Sequence, residues 1–164
     1  MLISLNPEFK DIRLDRTKVV YHKKFFKVEK IFDFNTLAFF LDRYESNNIY
    51  TPNGKVQLTN FNRFDEGKFF CDFVKQLLLD SNHREIDADI FASLSKIALS
   101  GNHTDKETVF LFPILGSVIY NIYTETDFTS FYMNIGDLLV IPKGVIHAAI
   151  PLCPRIVVSV GVWD

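Results

Sequence analysis

The fold class this sequence predicts is mostly β: an antiparallel barrel with two N-terminal helices packed outside it. Two observations carry that prediction. Two segments in the first half repeat apolar residues at helical spacing, and from Ile86 the period changes to that of strands, with about seven short runs divided by turn residues. Length supplies a third, because 164 residues suffice for one full domain and are short for two. The expected layout is a single domain over 1–164, with a helical and strand extension over about 1–85 and the barrel core over about 86–164.

The elements follow in order. Lys18-Val-Val-Tyr-His22 and Phe25 to Ile31 are short β-rich runs. Asn35 is placed to cap a helix running to about Tyr44, whose Leu37, Phe40, Leu41 and Tyr44 fall at i, i+3, i+4 and i+7, with Phe34 and Phe39 at staple positions. Glu45 to Gly54 is rich in turn residues and reads as a loop, and Gly54 to Asn60 alternates weakly enough to be an edge strand. Asp65 is placed to cap a second helix, where Phe70, Phe73, Val74, Leu77 and Leu78 make one apolar stripe and Phe64 and Phe69 again take staple positions. Cys71 beside that stripe reads as a small packed thiol. Strands are then expected over Asp89 to Leu99, Glu107 to Ile114, Ser117 to Tyr123, Phe128 to Met133, Asp137 to Ile141, Val145 to Ile150 and Arg155 to Trp163. Leu115-Gly116 is expected to close a hairpin.

Composition narrows the function. With 48% apolar and 15% aromatic residues, 17 of them Phe, the chain can build a continuous core and is not a disordered segment. A net charge of −2 gives no electrostatic case for nucleic acid or an acidic membrane as the main partner. The eight Lys and Arg between Lys10 and Lys30, set against Asp11, Asp15 and Glu29, read as a solvated face. No apolar run approaches the ~20 residues needed to span a bilayer, and no secretory pattern opens the chain. Two distant cysteines, Cys71 and Cys153, suit a reduced, cytoplasmic setting.

The chemistry concentrates in the last third. His103-Thr104-Asp105 places an imidazole and a carboxylate on one face of an extended segment, since alternate residues of a strand share a face. Some forty residues on, a Pro-x-Gly turn at Pro142 to Gly144 is set to aim His147 back inward. Two histidines and one carboxylate are the ligand set of a facial-triad Fe(II) site with open positions. Zinc accepts the same ligands. His22 and His83 have no such company and are expected at the surface, as is Lys143 within the turn.

Gly136 to His147 reads G-x5-P-x-G-x2-H and resembles the second motif of the cupin superfamily, although Pro151 stands where cupins often carry Asn. His103-Thr104-Asp105 with Val109 to Gly116 resembles the JmjC and asparaginyl-hydroxylase branch of Fe(II)- and 2-oxoglutarate-dependent oxygenases. The resemblance covers roughly residues 90–164. It implies a double-stranded β-helix, the cupin or jelly-roll barrel, with His103, Asp105 and His147 as catalytic metal ligands. Retention of Asp105 implies hydroxylation, because related halogenases carry a small residue there.

The same resemblance calls for a cation to bind the distal carboxylate of 2-oxoglutarate. The JmjC lysine position, two residues after Gly116, is Val118 here. Arg155, eight residues past His147, resembles instead the arginine of the prolyl-hydroxylase type, and on a regular strand it would share an inward face with Val157, Ser159 and Gly161. Such an arginine is costly to bury unpaired and is expected to meet an anion. Ser100, Tyr120 and Tyr132 are candidate hydroxyls for the co-substrate.

The expectation is thus an Fe(II) oxygenase using 2-oxoglutarate to hydroxylate a C–H bond of a small molecule or amino-acid side chain; cupins often dimerise through sheet edges, so a homodimer is compatible. Two other readings stay open. One is a metal-dependent cupin that does not use 2-oxoglutarate, a dioxygenase or isomerase, which Val118 favours. The other is a non-catalytic barrel that binds a small ligand.

Overall fold

The computed structural model describes residues 2–30, 32–44, 49–50, 55–94 and 101–164. Twelve strands and two α-helices are found among them. These are β1 (Ile3–Leu5), β2 (Val20–His22), β3 (Phe26–Val28), α1 (Phe34–Leu41), β4 (Ile49–Tyr50), β5 (Lys55–Leu58), α2 (Asp65–Leu77), β6 (Glu85–Ser93), β7 (Thr108–Leu115), β8 (Val118–Tyr123), β9 (Phe128–Met133), β10 (Leu138–Ile141), β11 (His147–Pro151) and β12 (Arg155–Trp163). A seven-stranded sheet runs β2-β10-β7-β12-β6-β5-β4, a three-stranded sheet runs β11-β8-β9, and β1 pairs with β3. Every ladder is antiparallel.

β12 organises the large sheet. Its nine residues pair with β6 along one edge and with β7 along the other, and period-2 alternation divides them between two cores. Ile156, Val158, Val160 and Val162 join Phe110 and Phe112 of β7 in the core beneath the helices, while Val157 faces the three-stranded sheet with Val109 and Leu111. That second core also takes Val118, Tyr120, Ile122, Met133 and Ala149 from the small sheet. The molecule is therefore a two-sheet sandwich with helices on the outer face of the larger sheet. Phe70 of α2 stands 5.5 Å from Phe112, and Phe40 of α1 meets Phe61 edge-on at 5.2 Å. Burying each such ring contributes about 1.5–3 kcal/mol before entropy is subtracted.

Several expectations need correction. α1 is capped by Asp33, whose carboxylate accepts from the Thr36 N–H at 2.9 Å, and not by Asn35. With the cap moved back, Phe34 becomes the first helical residue and Phe39 lies exposed, so they form no staple. Phe64, not Asp65, occupies the cap position of α2, and Asp65 opens the first turn, where its charge suits the helix dipole. β5 lies between β4 and β6 and is not an edge strand. β6 begins at Glu85; residues 95–99 of the expected strand lie outside the described residues, as does Gly54.

The expected hairpin at Leu115-Gly116 does not form, because β7 and β8 belong to different sheets. Gly116 adopts φ +73° and carries the chain across, so close to the last strand that a Cβ there would lie 2.2 Å from the Pro154 carbonyl oxygen. Pro113, which has no N–H to donate, sits beside the register shift where β7 meets β12 at Ile156/Val157. The true hairpin is β8–β9, turned by Thr124 to Asp127. His22 is not a free surface residue: it stacks on Phe25 at 5.5 Å. Cys71 is half-buried, and burial pushes its thiol up to about 12, which fits a packed thiol. Among the described residues, no helix is long and apolar enough to cross a membrane.

Candidate metal centre and its cavity

His103 and His147 come together through the backbone. They are directly opposite one another in an isolated antiparallel bridge, with the His103 N–H donating to the His147 carbonyl at 3.0 Å and the His147 N–H donating back at 2.9 Å. Residues paired this way project to the same side, and the ring centroids are 4.3 Å apart. The expected Pro142 turn is present. Val145 N–H donates to the Pro142 carbonyl at 3.3 Å, and Gly144 N–H donates to the Asp105 carbonyl at 2.9 Å, which ties the turn to the H-x-D segment.

Asp105 completes the cluster. Its two carboxylate oxygens lie 3.8 Å from His103 Nε2 and 3.4 Å from His147 Nε2. One ligand atom from each of the three residues falls within 4.8 Å of the others. Both imidazoles are oriented by the same device: Nδ1 of His103 is 2.9 Å from the Gly101 carbonyl, and Nδ1 of His147 is 3.0 Å from the Val145 carbonyl. A carbonyl only accepts, so each Nδ1 is the donor, which leaves each Nε2, the atom facing Asp105, as the one available to a metal. Burial, with His103 beside it, holds the His147 imidazole below its ordinary pKa against the raising effects of Val145 and Asp105. A neutral ring is the form that ligates a metal.

The cluster opens on a cavity of about 200 Å³ between the sheets. Arg155 lines it, as its strand position predicts, with Ser159 and Gly161 on the same face of β12. Only 1% of Arg155 is exposed, no well-formed hydrogen bond satisfies any of its three side-chain nitrogens, and the Tyr120 hydroxyl interacts with the guanidinium. Tyr120 also lines the cavity, with its phenol raised by burial while the neighbouring guanidinium pulls the other way. Val118 is fully buried in the apolar core and supplies no cation. Tyr132 lies exposed on β9, away from the cavity lining. Ser100 lies outside the described residues.

Backbone topology agrees with one group of solved structures. The chain aligns over 99% of its length with a ribosomal oxygenase from Escherichia coli, YcfD, solved in complex with cobalt and 2-oxoglutarate, at 19% identity and a TM-score of 0.72. A second crystal structure of that protein aligns over all of this chain at 18% identity and a TM-score of 0.74. The chain shares its fold with the matched part of that protein. It spans about half the length of that protein, 52% and 54% in the two structures. No protein-family model matches the sequence, and no curated protein does. At such low identity the likeness describes the fold, and the chemistry must be read from the side chains.

Sequence reasoning missed one part of this site. Asp87, Asp89, Glu107, Gln57 and Trp163 also line the cavity. The signal was present in the i, i+2 spacing of Asp87 and Asp89, which sets both carboxylates on one face of β6. Trp163 Nε1 donates to Asp87 at 3.0 Å, and Asp89 accepts from the Asn60 N–H at 3.0 Å and the Gln57 amide at 3.3 Å. Burial raises both carboxyl pKa values, Asp89 to about 6.

Proposed function

We propose that this chain is an Fe(II)- and 2-oxoglutarate-dependent oxygenase that hydroxylates a C–H bond of a small molecule or amino-acid side chain. His103, Asp105 and His147 would hold the metal, and Arg155 would hold the distal carboxylate of 2-oxoglutarate. Once bound, the metal and co-substrate supply the oxidising power for oxygen insertion. Support for the reading comes from Arg155. A guanidinium this deeply buried, with the Tyr120 hydroxyl beside it and no ion pair among the described residues, is unfavourable, and a carboxylate bound by charge-assisted hydrogen bonds would offset that cost. Its location in the same cavity as the three-ligand cluster joins an anion site to a metal site.

The chain's own groups divide the remaining work. The Gly101 and Val145 carbonyls fix the imidazole tautomers. Tyr120 presents a hydroxyl beside the guanidinium, placed to donate to the same carboxylate. Val109, Leu111 and Ala149 supply apolar wall that keeps bulk water from the reacting centre. Arg155 answers the loss of the lysine at Val118, which is the feature that favours a cupin without 2-oxoglutarate. Anaerobic titration decides between these readings. A visible charge-transfer band on adding Fe(II) and then 2-oxoglutarate supports the oxygenase, and metal binding without that band supports the alternative. The Arg155→Gln variant should bind 2-oxoglutarate about 10- to 100-fold more weakly while keeping its metal.

A further inference from the structure

The turn that delivers His147 is held from outside the metal centre by a closed ring of polar contacts. The Thr108 hydroxyl donates to the Arg16 carbonyl at 3.3 Å and accepts from the Lys143 N–H at 3.4 Å. The Lys143 ammonium pairs with one carboxylate oxygen of Asp164, and the Arg16 guanidinium pairs with the other, which brings the ring back to its start. Four separate segments are joined in this way: the loop before β2, the first residue of β7, the Pro142 to Gly144 turn and the residue after β12.

Arg16 is the fixed corner of the ring. Its side chain is 10% exposed, and the same guanidinium reaches Asp80 at 3.4 Å and the Asn82 carbonyl. The backbone beside it is tied to the end of α2, where the Leu14 N–H donates to the Leu77 carbonyl at 2.8 Å and the Leu79 N–H donates to the Leu14 carbonyl at 3.2 Å. Hydrogen bonds from Lys143 and Arg16 hold the Asp164 carboxyl below its ordinary pKa, which keeps it ionised at neutral pH.

Lys143 is the corner next to the metal ligands. The residue after it, Gly144, donates its N–H to the Asp105 carbonyl at 2.9 Å, and Val145 presents the carbonyl that orients the His147 imidazole at 3.0 Å. A shift of this turn therefore reaches two ligands at once. The Lys143 side chain is 57% exposed, and ion pairs at such positions contribute little to folding. Their effect here lies elsewhere, because groups that orient metal ligands govern metal affinity.

We propose that Asp164, clamped between Lys143 and Arg16, is a positioning residue, and that the ring of Arg16, Thr108, Lys143 and Asp164 sets the affinity of the His103, Asp105 and His147 cluster for its metal. This rests on the metal-ligand part of the proposed function and is independent of 2-oxoglutarate.

The test is titration of the metal-free full chain with Co(II), read by calorimetry and by the visible ligand-field spectrum, which reports coordination geometry. Asp164→Asn, Lys143→Met and Thr108→Val break the ring at three points and change the local charge in three ways. A charge effect alone would weaken Co(II) in Asp164→Asn, tighten it in Lys143→Met and leave Thr108→Val unchanged. Positioning predicts that all three bind Co(II) about three- to fivefold more weakly and with an altered spectrum. The urea midpoints of the two surface variants, Asp164→Asn and Lys143→Met, should stay close to wild type. Lys143→Arg, which keeps the pair, should restore wild-type affinity. The Lys143→Met/Asp164→Asn double variant should bind no more weakly than the weaker single variant, since both remove one contact. Tighter binding in Lys143→Met, or unchanged affinity and spectrum in both surface variants, overturns the proposal. Failure of the wild type to bind Co(II) defeats the metal centre and the ring with it, whereas wild-type binding with unaffected variants defeats the ring alone.

Discussion

Arg155 and Gly116 are neighbours across a strand crossing: a Cβ on Gly116 would lie 3.0 Å from the Arg155 Cα. The residue that carries the chain from one sheet to the other thus sets the path of the strand that delivers the guanidinium. Gly116→Ala must meet both the left-handed φ of +73° and the Pro154 carbonyl oxygen at 2.2 Å. We expect a loss on the order of 1–3 kcal/mol in urea unfolding, accompanied by weaker 2-oxoglutarate binding. Unchanged stability would mean that this crossing has more room than described.

Arg155 itself should cost stability in the absence of ligand. Its three nitrogens are buried with no well-formed hydrogen bond and only the Tyr120 hydroxyl in partial compensation, and apolar replacements of buried, poorly compensated charges are often stabilising by about 1–4 kcal/mol. Arg155→Met is expected to raise the unfolding midpoint of the ligand-free protein while eliminating 2-oxoglutarate binding. A variant that loses both stability and ligand would show that the guanidinium has a structural partner.

Asp89 gives a pH dependence whose sign can be worked out. In the unfolded chain its carboxyl titrates near 3.8, and in the folded protein near 6. The folded state therefore holds the proton more tightly, and stability falls as pH rises through that window. The penalty is complete above about pH 6 and vanishes below about pH 4. Asp89→Asn keeps an oxygen for the Asn60 N–H and removes the charge. It should stabilise the protein by on the order of 1–2 kcal/mol at pH 7.5 and by little at pH 4, as read by denaturation at the two pH values.

Phe112 joins α2 to the large sheet through Phe70 at 5.5 Å and Phe73 at 6.0 Å. Phe112→Ala should cost about 3–5 kcal/mol, measured by chemical denaturation. A cost below 1 kcal/mol would mean that the helices contribute little to the core.

Legibility followed the range of the forces involved. The stripe Phe70, Val74 and Leu77 and the alternation of Arg155 to Trp163 are local patterns, and both were read from sequence with the correct buried faces. The H-x-D segment and the turn before His147 were legible because strand and turn geometry are local as well. Helix starts were not: Asp33 and Asn35 are equally good caps by residue type, and tertiary packing of Phe34 and Leu37 chose between them. The false hairpin at Gly116 arose because a left-handed glycine serves a sheet crossing as well as a turn, and strand pairing at long range decided it. The acidic lining of the cavity comes from Asp87 and Asp89 on β6 and from Glu107 in the segment after Asp105, with Trp163 of β12 beside them, which no local pattern brings together.

The central claim is that His103, Asp105 and His147 form one metal site. Anaerobic equilibrium titration with Fe(II), followed by metal quantification of the gel-filtered protein, tests it most directly. The account predicts one metal ion per chain in the wild type and loss of that ion in His147→Ala and Asp105→Ala, with folding of both variants confirmed by circular dichroism. Retention of a full equivalent of iron by either folded variant, or absence of binding in the wild type, would contradict it.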